Sequence, residues 1–192
     1  MIDITSQIIQ GMENEFKNLS SWTQHDKDSS AVWTTKIKTA MTLIANNNKI
    51  ELRCSDKSNN GKASNWEFLF DFVLLDTGKV LVGNGYFVGD NTIKKSVVIV
   101  ESEISNPNNA DEILYDFCKL LLGKAELKVM IYYHKNNKTA NNTTINYEIQ
   151  RILKEFSQRT DLEKYLICWF NHSKKNFSYE LLNSHGQVVN SC

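Results

Sequence analysis

The spacing of apolar residues along the chain predicts four helices. Between residues 4 and 19 apolar side chains recur along one stripe that includes Ile8, Met12 and Phe16, which is the pattern of an amphipathic helix. Three later segments show the same period, and one of them ends at Gly123, a residue type that commonly terminates helices. The predicted helices cover residues 4–19, 32–46, 109–123 and 145–158.

Short runs of apolar and β-branched residues predict the strands. The runs WEFLFDFVLL at 66–75 and SVVIVESE at 96–103 are the strongest of them. A further candidate between 78 and 87 is interrupted by Gly-Asn-Gly at 83–85, which favours a turn between two strands. The remaining predicted strands cover residues 49–54, 127–133, 165–170 and 177–182.

The order of these elements predicts one α/β domain spanning residues 1–192. Strands cluster first and then alternate with helices, which favours a mixed sheet of about five strands flanked by helices on both faces. The segment 96–133 is predicted as strand, helix, strand, so its two strands should be adjacent and parallel, joined by a right-handed crossover. With a single proline and no repeat, no linker is expected to divide the chain.

Composition narrows the classes of function. The 192 residues include 22 Lys+Arg and 22 Asp+Glu, and the formal net charge of zero excludes a protein that holds nucleic acid by bulk positive charge. No apolar run reaches the length of about 18 to 20 residues that a membrane helix needs, so no membrane association is expected. Because Asp3 comes early and no basic stretch precedes an apolar one, we expect no signal peptide and a cytoplasmic protein.

Four carboxylates in two predicted strands point to chemistry. Because side chains alternate along a strand, Glu67 and Asp71 should share one face of the strand at 66–75. Glu101 and Glu103 should likewise share one face of the strand at 96–103. The aromatic residues expected on the face opposite Asp71 are Trp66, Phe68, Phe70 and Phe72. Desolvating an unpaired carboxylate costs several kcal/mol, whereas carboxylate oxygens are preferred ligands of Mg²⁺ and Mn²⁺. The pattern therefore predicts a metal site.

A purely structural role for these acids is the alternative that stays open. Glu67 and Glu103 could lie at strand ends in water, where a carboxylate needs no partner. The acids could instead form ion pairs with lysines, for which the sequence offers Lys36, Lys38 and Lys119.

The order and spacing of the motifs resemble the restriction-endonuclease-like PD-(D/E)XK nuclease superfamily, and more closely a group of uncharacterised bacterial proteins of similar size. The segments concerned are WEFLFD, VVIVESE, the helix DEILYDFCKLL and the strand LKVMIYY, within residues 33–170. The resemblance implies a core of order αβββαβ, with Asp71 as the first metal-binding acid and Glu101 as the second. Position 103, a catalytic lysine in that family, is glutamate here, and Lys119 is the residue that would replace it.

The resemblance implies a Mg²⁺- or Mn²⁺-dependent endonuclease that hydrolyses DNA phosphodiesters. The implied metal ligands are Asp71, Glu101 and the backbone carbonyl of Ser102. The implied catalytic groups are Lys119, facing the scissile phosphate, and either Glu67 or Glu103, as a further oxygen ligand or as the base that orients water. An acid from the first helix often completes such a site, and the candidates here are Glu13 and Glu15.

The second hypothesis is a nuclease-fold module without catalysis that binds nucleic acid or a protein partner. Glu103 in place of lysine and the zero net charge favour this hypothesis, whereas Asp71 and Glu101 favour the enzyme. Nucleases of this architecture often work as dimers, so the resemblance is also compatible with a homodimer.

Overall fold

The computed structural model describes residues 3–17, 29–54, 70–82, 86–105, 109–135, 141–156, 160–171 and 176–191. Within these ranges the helices are α1 (Ile4–Phe16), α2 (Ser30–Asn48), α3 (Ala110–Leu122) and α4 (Asn142–Glu155). The strands are β1 (Glu51–Cys54), β2 (Phe72–Val82), β3 (Tyr86–Glu103), β4 (Leu127–Tyr132), β5 (Lys164–Asn171), β6 (Asn176–Asn183) and β7 (Val188–Ser191).

The strands form one mixed sheet whose spatial order is their order along the chain. β3, β4 and β5 are parallel, and the strand pairs on either side of them are antiparallel. α3 connects β3 to β4, and α4 connects β4 to β5. The predicted α/β class is confirmed, as is the parallel pairing of the segments 96–103 and 127–133. The sheet has seven strands instead of about five: the segment predicted at 49–54 pairs as the edge strand β1, and β7, which was not predicted, forms the other edge.

Helices cover both faces of the sheet and create two cores. α1 and α2 pack on one face, where Val98 and Val100 of β3 are buried, and α3 and α4 pack on the other face with Ile99. This division follows from the alternation of side chains along β3. Phe16 of α1 also meets Phe177 of β6 edge to face, with ring centroids 4.9 Å apart. None of the described helices is long and apolar enough to span a membrane.

Asparagine caps set the starts of α3 and α4. The Asn109 side chain accepts a hydrogen bond from the backbone N–H of Asp111, and the Asn141 side chain accepts one from the backbone N–H of Thr144. The helix predicted at 145–158 therefore starts earlier, at Asn142. Its predicted last residues, 157 and 158, lie outside the described ranges.

Gly123 ends α3 as predicted, but its backbone does not adopt the left-handed conformation that usually favours glycine at this position. Its φ is −83°, which any residue adopts. A Cβ atom at this position would lie 2.4 Å from Ile99 Cδ1 and 2.6 Å from Phe70 Cζ. A larger residue would have to displace the ends of these two side chains, so glycine is favoured here because α3 ends in close contact with them.

The predicted strand at 66–75 begins later than expected. Residues 66–69 lie outside the described part of the chain, Phe70 and Asp71 form a bend, and β2 starts at Phe72. Phe70 packs against the α3/α4 core, whereas Phe72 is buried in the α1/α2 core. The prediction that these two rings share a face is therefore wrong, because the bend breaks the alternation. Asp71 precedes the strand instead of lying within it.

The predicted connection at 83–85 also lies outside the described residues. On either side of it, β2 and β3 pair antiparallel up to Val82 and Tyr86. The two flanking strands expected from the sequence are therefore present.

Candidate functional site

Asp71 lies against the carboxyl end of β3. Because Phe72 pairs with Val100, the antiparallel register brings Asp71 level with the end of that strand. Asp71 Oδ2 accepts hydrogen bonds from the backbone N–H of Ser102 at 2.8 Å and from its Oγ at 2.7 Å. The N–H and C=O of one residue in an extended strand point towards the same neighbour, so the Ser102 carbonyl is directed to the side of Asp71. Two of the predicted metal ligands, the Asp71 carboxylate and the Ser102 carbonyl, are thus brought together.

Glu101 is a buried carboxylate with one unpaired oxygen. Its residue is 1% exposed, and its Oε2 accepts a hydrogen bond from Lys119 Nζ at 2.8 Å. Its Oε1 is buried without a hydrogen-bond partner. Burial raises the pKa of Glu101 to about 8, Lys119 acts in the opposite direction, and the charge of Asp71 raises it further. Glu101 and Asp71 are therefore close enough to repel each other.

Lys119 reaches the site from the last turn of α3. Its Nζ lies 2.8 Å from Glu101 Oε2 and 2.9 Å from Asp116 Oδ1, so it bridges two carboxylates. Burial lowers the pKa of Lys119, but its hydrogen bonds with Glu101 and Asp116 outweigh burial and raise that pKa above its usual range. The ion pair between Lys119 and one of the four acids, which was the structural alternative to a metal site, is therefore formed. Its side chain is 24% exposed, so the ammonium group still borders solvent.

Glu103 takes part in the turn that follows β3. Its Oε1 accepts hydrogen bonds from the backbone N–H and the Oγ of Ser105, both at 2.8 Å. These bonds satisfy that oxygen within the protein, which favours a structural role for it. The predicted catalytic role of Glu103 stays a prediction.

Of the other predicted acids, Glu13 and Glu15 do not join Asp71 and Glu101. Glu67 lies outside the described residues. Glu15 forms an ion pair with Lys36 at 3.2 Å. Burial raises the pKa of Tyr179 of β6, and the negative charge of Glu13 contributes to that rise. Both belong to α1, which packs on the face of the sheet opposite Glu101. The expectation that one of them completes the site is therefore not met in this structure.

The oxygen atoms at this edge fit a magnesium ion in part. Among the residues that the structure describes, no three His, Cys, Asp or Glu side chains converge as a metal site. Mg²⁺, however, commonly uses only one or two protein carboxylates and completes its shell with water and substrate phosphates. Asp71, the unpaired Oε1 of Glu101 and the Ser102 carbonyl offer oxygen ligands of this kind. The residues present are compatible with such an ion.

Comparison with known proteins gives no relative. No protein-family model, curated protein or solved structure matches this chain. The resemblance to PD-(D/E)XK nucleases therefore stays a prediction, and any functional conclusion rests on the geometry of the chain itself.

One fully buried lysine was not predicted from the sequence. Lys128 of β4 has no exposed surface, and its Nζ lies 2.9 Å from Glu163 Oε2 and 3.2 Å from the hydroxyl of Tyr165. Tyr165 in turn donates to Glu163 Oε2 at 2.8 Å. The signal was visible, since one lysine interrupts the apolar run LKVMIY. Its partners could not be read from the sequence.

A second missed feature is a pocket beside α4. Its lining includes Asn142, Asn146 and Gln150, together with Glu180 of β6. The three amide residues recur at intervals of four, which places them on one face of a helix. That spacing was the available signal.

Proposed function

We propose that the chain is a divalent-metal-dependent nuclease that hydrolyses DNA phosphodiesters, with Asp71 and Glu101 as its metal-binding pair. The observation that carries this proposal is the buried Oε1 of Glu101. It has no hydrogen-bond partner, and the negative charge of a second carboxylate, Asp71, acts on the same group. Buried polar atoms are nearly always hydrogen-bonded, and an unpaired one at a cleft commonly marks a missing ion or ligand. Two repelling carboxylates at the ends of adjacent strands are a typical arrangement for binding a cation.

Three groups of the site would bind the metal ion. Asp71, held in place by Ser102, and Glu101 would bind the ion, with the Ser102 carbonyl as a third oxygen ligand. An ion at this position would lower the pKa of its bound water and neutralise charge that develops on the phosphoryl oxygens. We assign no step to Glu103, because its Oε1 is already held by Ser105.

Lys119 would supply the positive charge that position 103 lacks. An ammonium group has three hydrogen-bond donors, and Glu101 and Asp116 use two of them. The third can donate to a non-bridging phosphate oxygen from the solvent side. The two carboxylates fix the position of Nζ, so little side-chain freedom is lost when phosphate binds.

Metal binding and DNA cleavage test the proposal together. Calorimetry with Mn²⁺ should detect binding to the parent protein, and Asp71→Asn or Glu101→Gln should each weaken it at least about tenfold. Both variants should lose cleavage of supercoiled and single-stranded DNA, whereas Lys119→Met should lose cleavage but still bind the ion. The matched control is Glu15→Gln, which removes an ion-paired carboxylate on the opposite face of the sheet and should change neither readout. Metal affinity that is equal in the parent and both acid variants would contradict the proposal.

A module without catalysis is the second candidate, and the ion pairs of Lys119 favour it. Because Lys119 already offsets the charge of Glu101, the site can persist without any metal ion. In that case the parent protein should show no binding heat with Mn²⁺ and no cleavage, but it should retard DNA at low salt. Loss of DNA retardation as well would favour a protein-interaction role.

A further inference from the structure

A small pocket lies between α4 and the strands β5 and β6. Its volume is about 250 Å³, and its walls include the aromatic side chains of Tyr147 and Trp169 and the carboxylate of Glu180. This volume is just below the range of pockets that hold drug-sized ligands, about 300 to 1,000 Å³, so the pocket suits a smaller molecule. The strand register puts Glu180 in the same row as Glu101 but three strands away, a backbone distance of about 14 Å. The pocket is therefore separate from the candidate nuclease site.

The floor of this pocket is rigid. Asn146 is 5% exposed, and its Oδ1 accepts a hydrogen bond from the hydroxyl of Tyr132 at 2.8 Å. Burial raises the pKa of Tyr132 well above its usual value, and the charge of Glu180 raises it further, so the hydroxyl keeps its proton and stays a donor. Asn146 thus has one fixed amide orientation, and the pocket is preorganised on this side.

Glu180 brings a carboxyl group with one unpaired oxygen to the pocket. Its Oε2 is buried without a hydrogen-bond partner. Burial raises the pKa of Glu180, and the opposing influence is a hydrogen bond from the neutral amide of Gln150. In the part of the chain that the structure describes, no lysine, arginine or histidine forms an ion pair with this carboxylate. Buried carboxylate oxygens are normally paired, so with no cationic partner among the described residues this carboxylate offers a binding position for a positively charged group.

We propose that the pocket binds a small organic cation, a guanidinium or protonated amine, with Glu180 as its counter-ion and Trp169 and Tyr147 as aromatic walls. A cation near the face of tryptophan or tyrosine is attracted by the ring quadrupole, and the attraction grows when the cation is desolvated. A guanidinium group suits the site better than a compact ammonium, because it is planar, weakly hydrated and stacks on aromatic rings. The inference does not depend on nuclease activity.

Titration with a matched pair of small molecules tests this inference. Ethylguanidinium should shift the amide NMR signals of α4 and of Trp169 with a dissociation constant of about 1 mM or lower, while its neutral counterpart ethylurea should bind at least about tenfold more weakly. Glu180→Gln should weaken ethylguanidinium binding at least about tenfold. Glu155→Gln, which removes an exposed carboxylate from the same helix, should leave it unchanged.

A second variant tests the aromatic wall of the pocket without changing Glu180. Trp169→Leu retains the carboxylate but removes one aromatic wall, and it should weaken ethylguanidinium binding severalfold. Thermal unfolding of each variant checks that the fold persists. Equal affinity for ethylguanidinium and ethylurea, unchanged binding in the folded Glu180→Gln variant, or no binding up to about 10 mM would each overturn the proposal.

Discussion

Replacing Lys128 by methionine should destabilise the protein strongly while barely changing side-chain volume. The ammonium group that disappears has no exposed surface and contacts Glu163 at 2.9 Å and the hydroxyl of Tyr165 at 3.2 Å. The variant would leave the Glu163 carboxylate, whose side chain is only 11% exposed, without its cation. Removing one partner of a buried ion pair is costly, because the remaining charge stays desolvated.

The expected loss of stability follows from the distance between Lys128 and Glu163 and from the burial of both side chains. Two unit charges 2.9 Å apart attract each other by about 6 kcal/mol at an effective dielectric constant of about 20, before desolvation is subtracted. Breaking such pairs typically costs about 3 to 5 kcal/mol. Glu163 keeps the hydrogen bond from Tyr165, which offsets part of the loss. We therefore expect Lys128→Met to lower the free energy of unfolding by about 3 kcal/mol.

Urea unfolding at neutral pH measures this loss, and Lys95→Met is the matched control. Lys95 and Glu126 lie only 2.6 Å apart, closer than the buried pair, but their side chains are 51% and 62% exposed. Solvent screens such pairs, so this control should leave the free energy of unfolding nearly unchanged. The double variant Lys128→Met/Glu163→Gln should recover about half of the loss, because it removes the uncompensated charge. If Lys128→Met cost no more than Lys95→Met, or if the two changes of the double variant were additive, the reasoning would be refuted.

Four further predictions concern the backbone at two glycines, one titrating group and one helix cap. Gly186→Ala should cost at least about 1 to 2 kcal/mol in urea unfolding, because φ is +71° and a Cβ atom would lie 2.6 Å from the carbonyl oxygen of Gln150. Gly11→Ala in α1 should instead be neutral or stabilising by up to about 1 kcal/mol, because its Cβ atom would find only ordinary contacts from 3.5 Å outwards. Burial raises the pKa of Glu180 above 4.5 in the folded protein, so the stability that this carboxyl group contributes is present below pH 4.5 and is lost as pH rises through its folded pKa. The Glu180→Gln variant should therefore be at least as stable as the parent at pH 7, and the difference between the two should shrink at pH 4. Asn141→Ala should lower stability by about 1 kcal/mol through loss of the cap of α4, and unchanged thermal unfolding would contradict that role.

The elements with a regular pattern could be predicted from the sequence. The run at 127–133 became β4, in which every residue is buried, and its parallel pairing with β3 follows from the helix between them. The approach of Lys119 to Glu101 was also foreseeable, since that helix must pack beside the strand it follows. These features depend on local periodicity and on the handedness of one crossover.

The features that could not be predicted depend on contacts between distant segments or on a local break in pattern. The bend at Asp71 interrupts a run that reads as a continuous strand. The bonds from Ser105 to Glu103 depend on the turn after β3, and the partner of Lys128 lies 35 residues away. In each case hydrogen-bonding geometry decides the position of a polar side chain, and apolar periodicity carries no information about it.

The order of the strands also bears on how the chain folds during synthesis. Each strand pairs with the one made just before it, so a nascent chain can add strands to a growing edge without waiting for a later segment. α1 and α2 behave differently, because Phe16 and Trp33 contact Phe177 of β6, which is synthesised much later. These two helices must therefore keep part of their apolar surface uncovered until β6 has been synthesised.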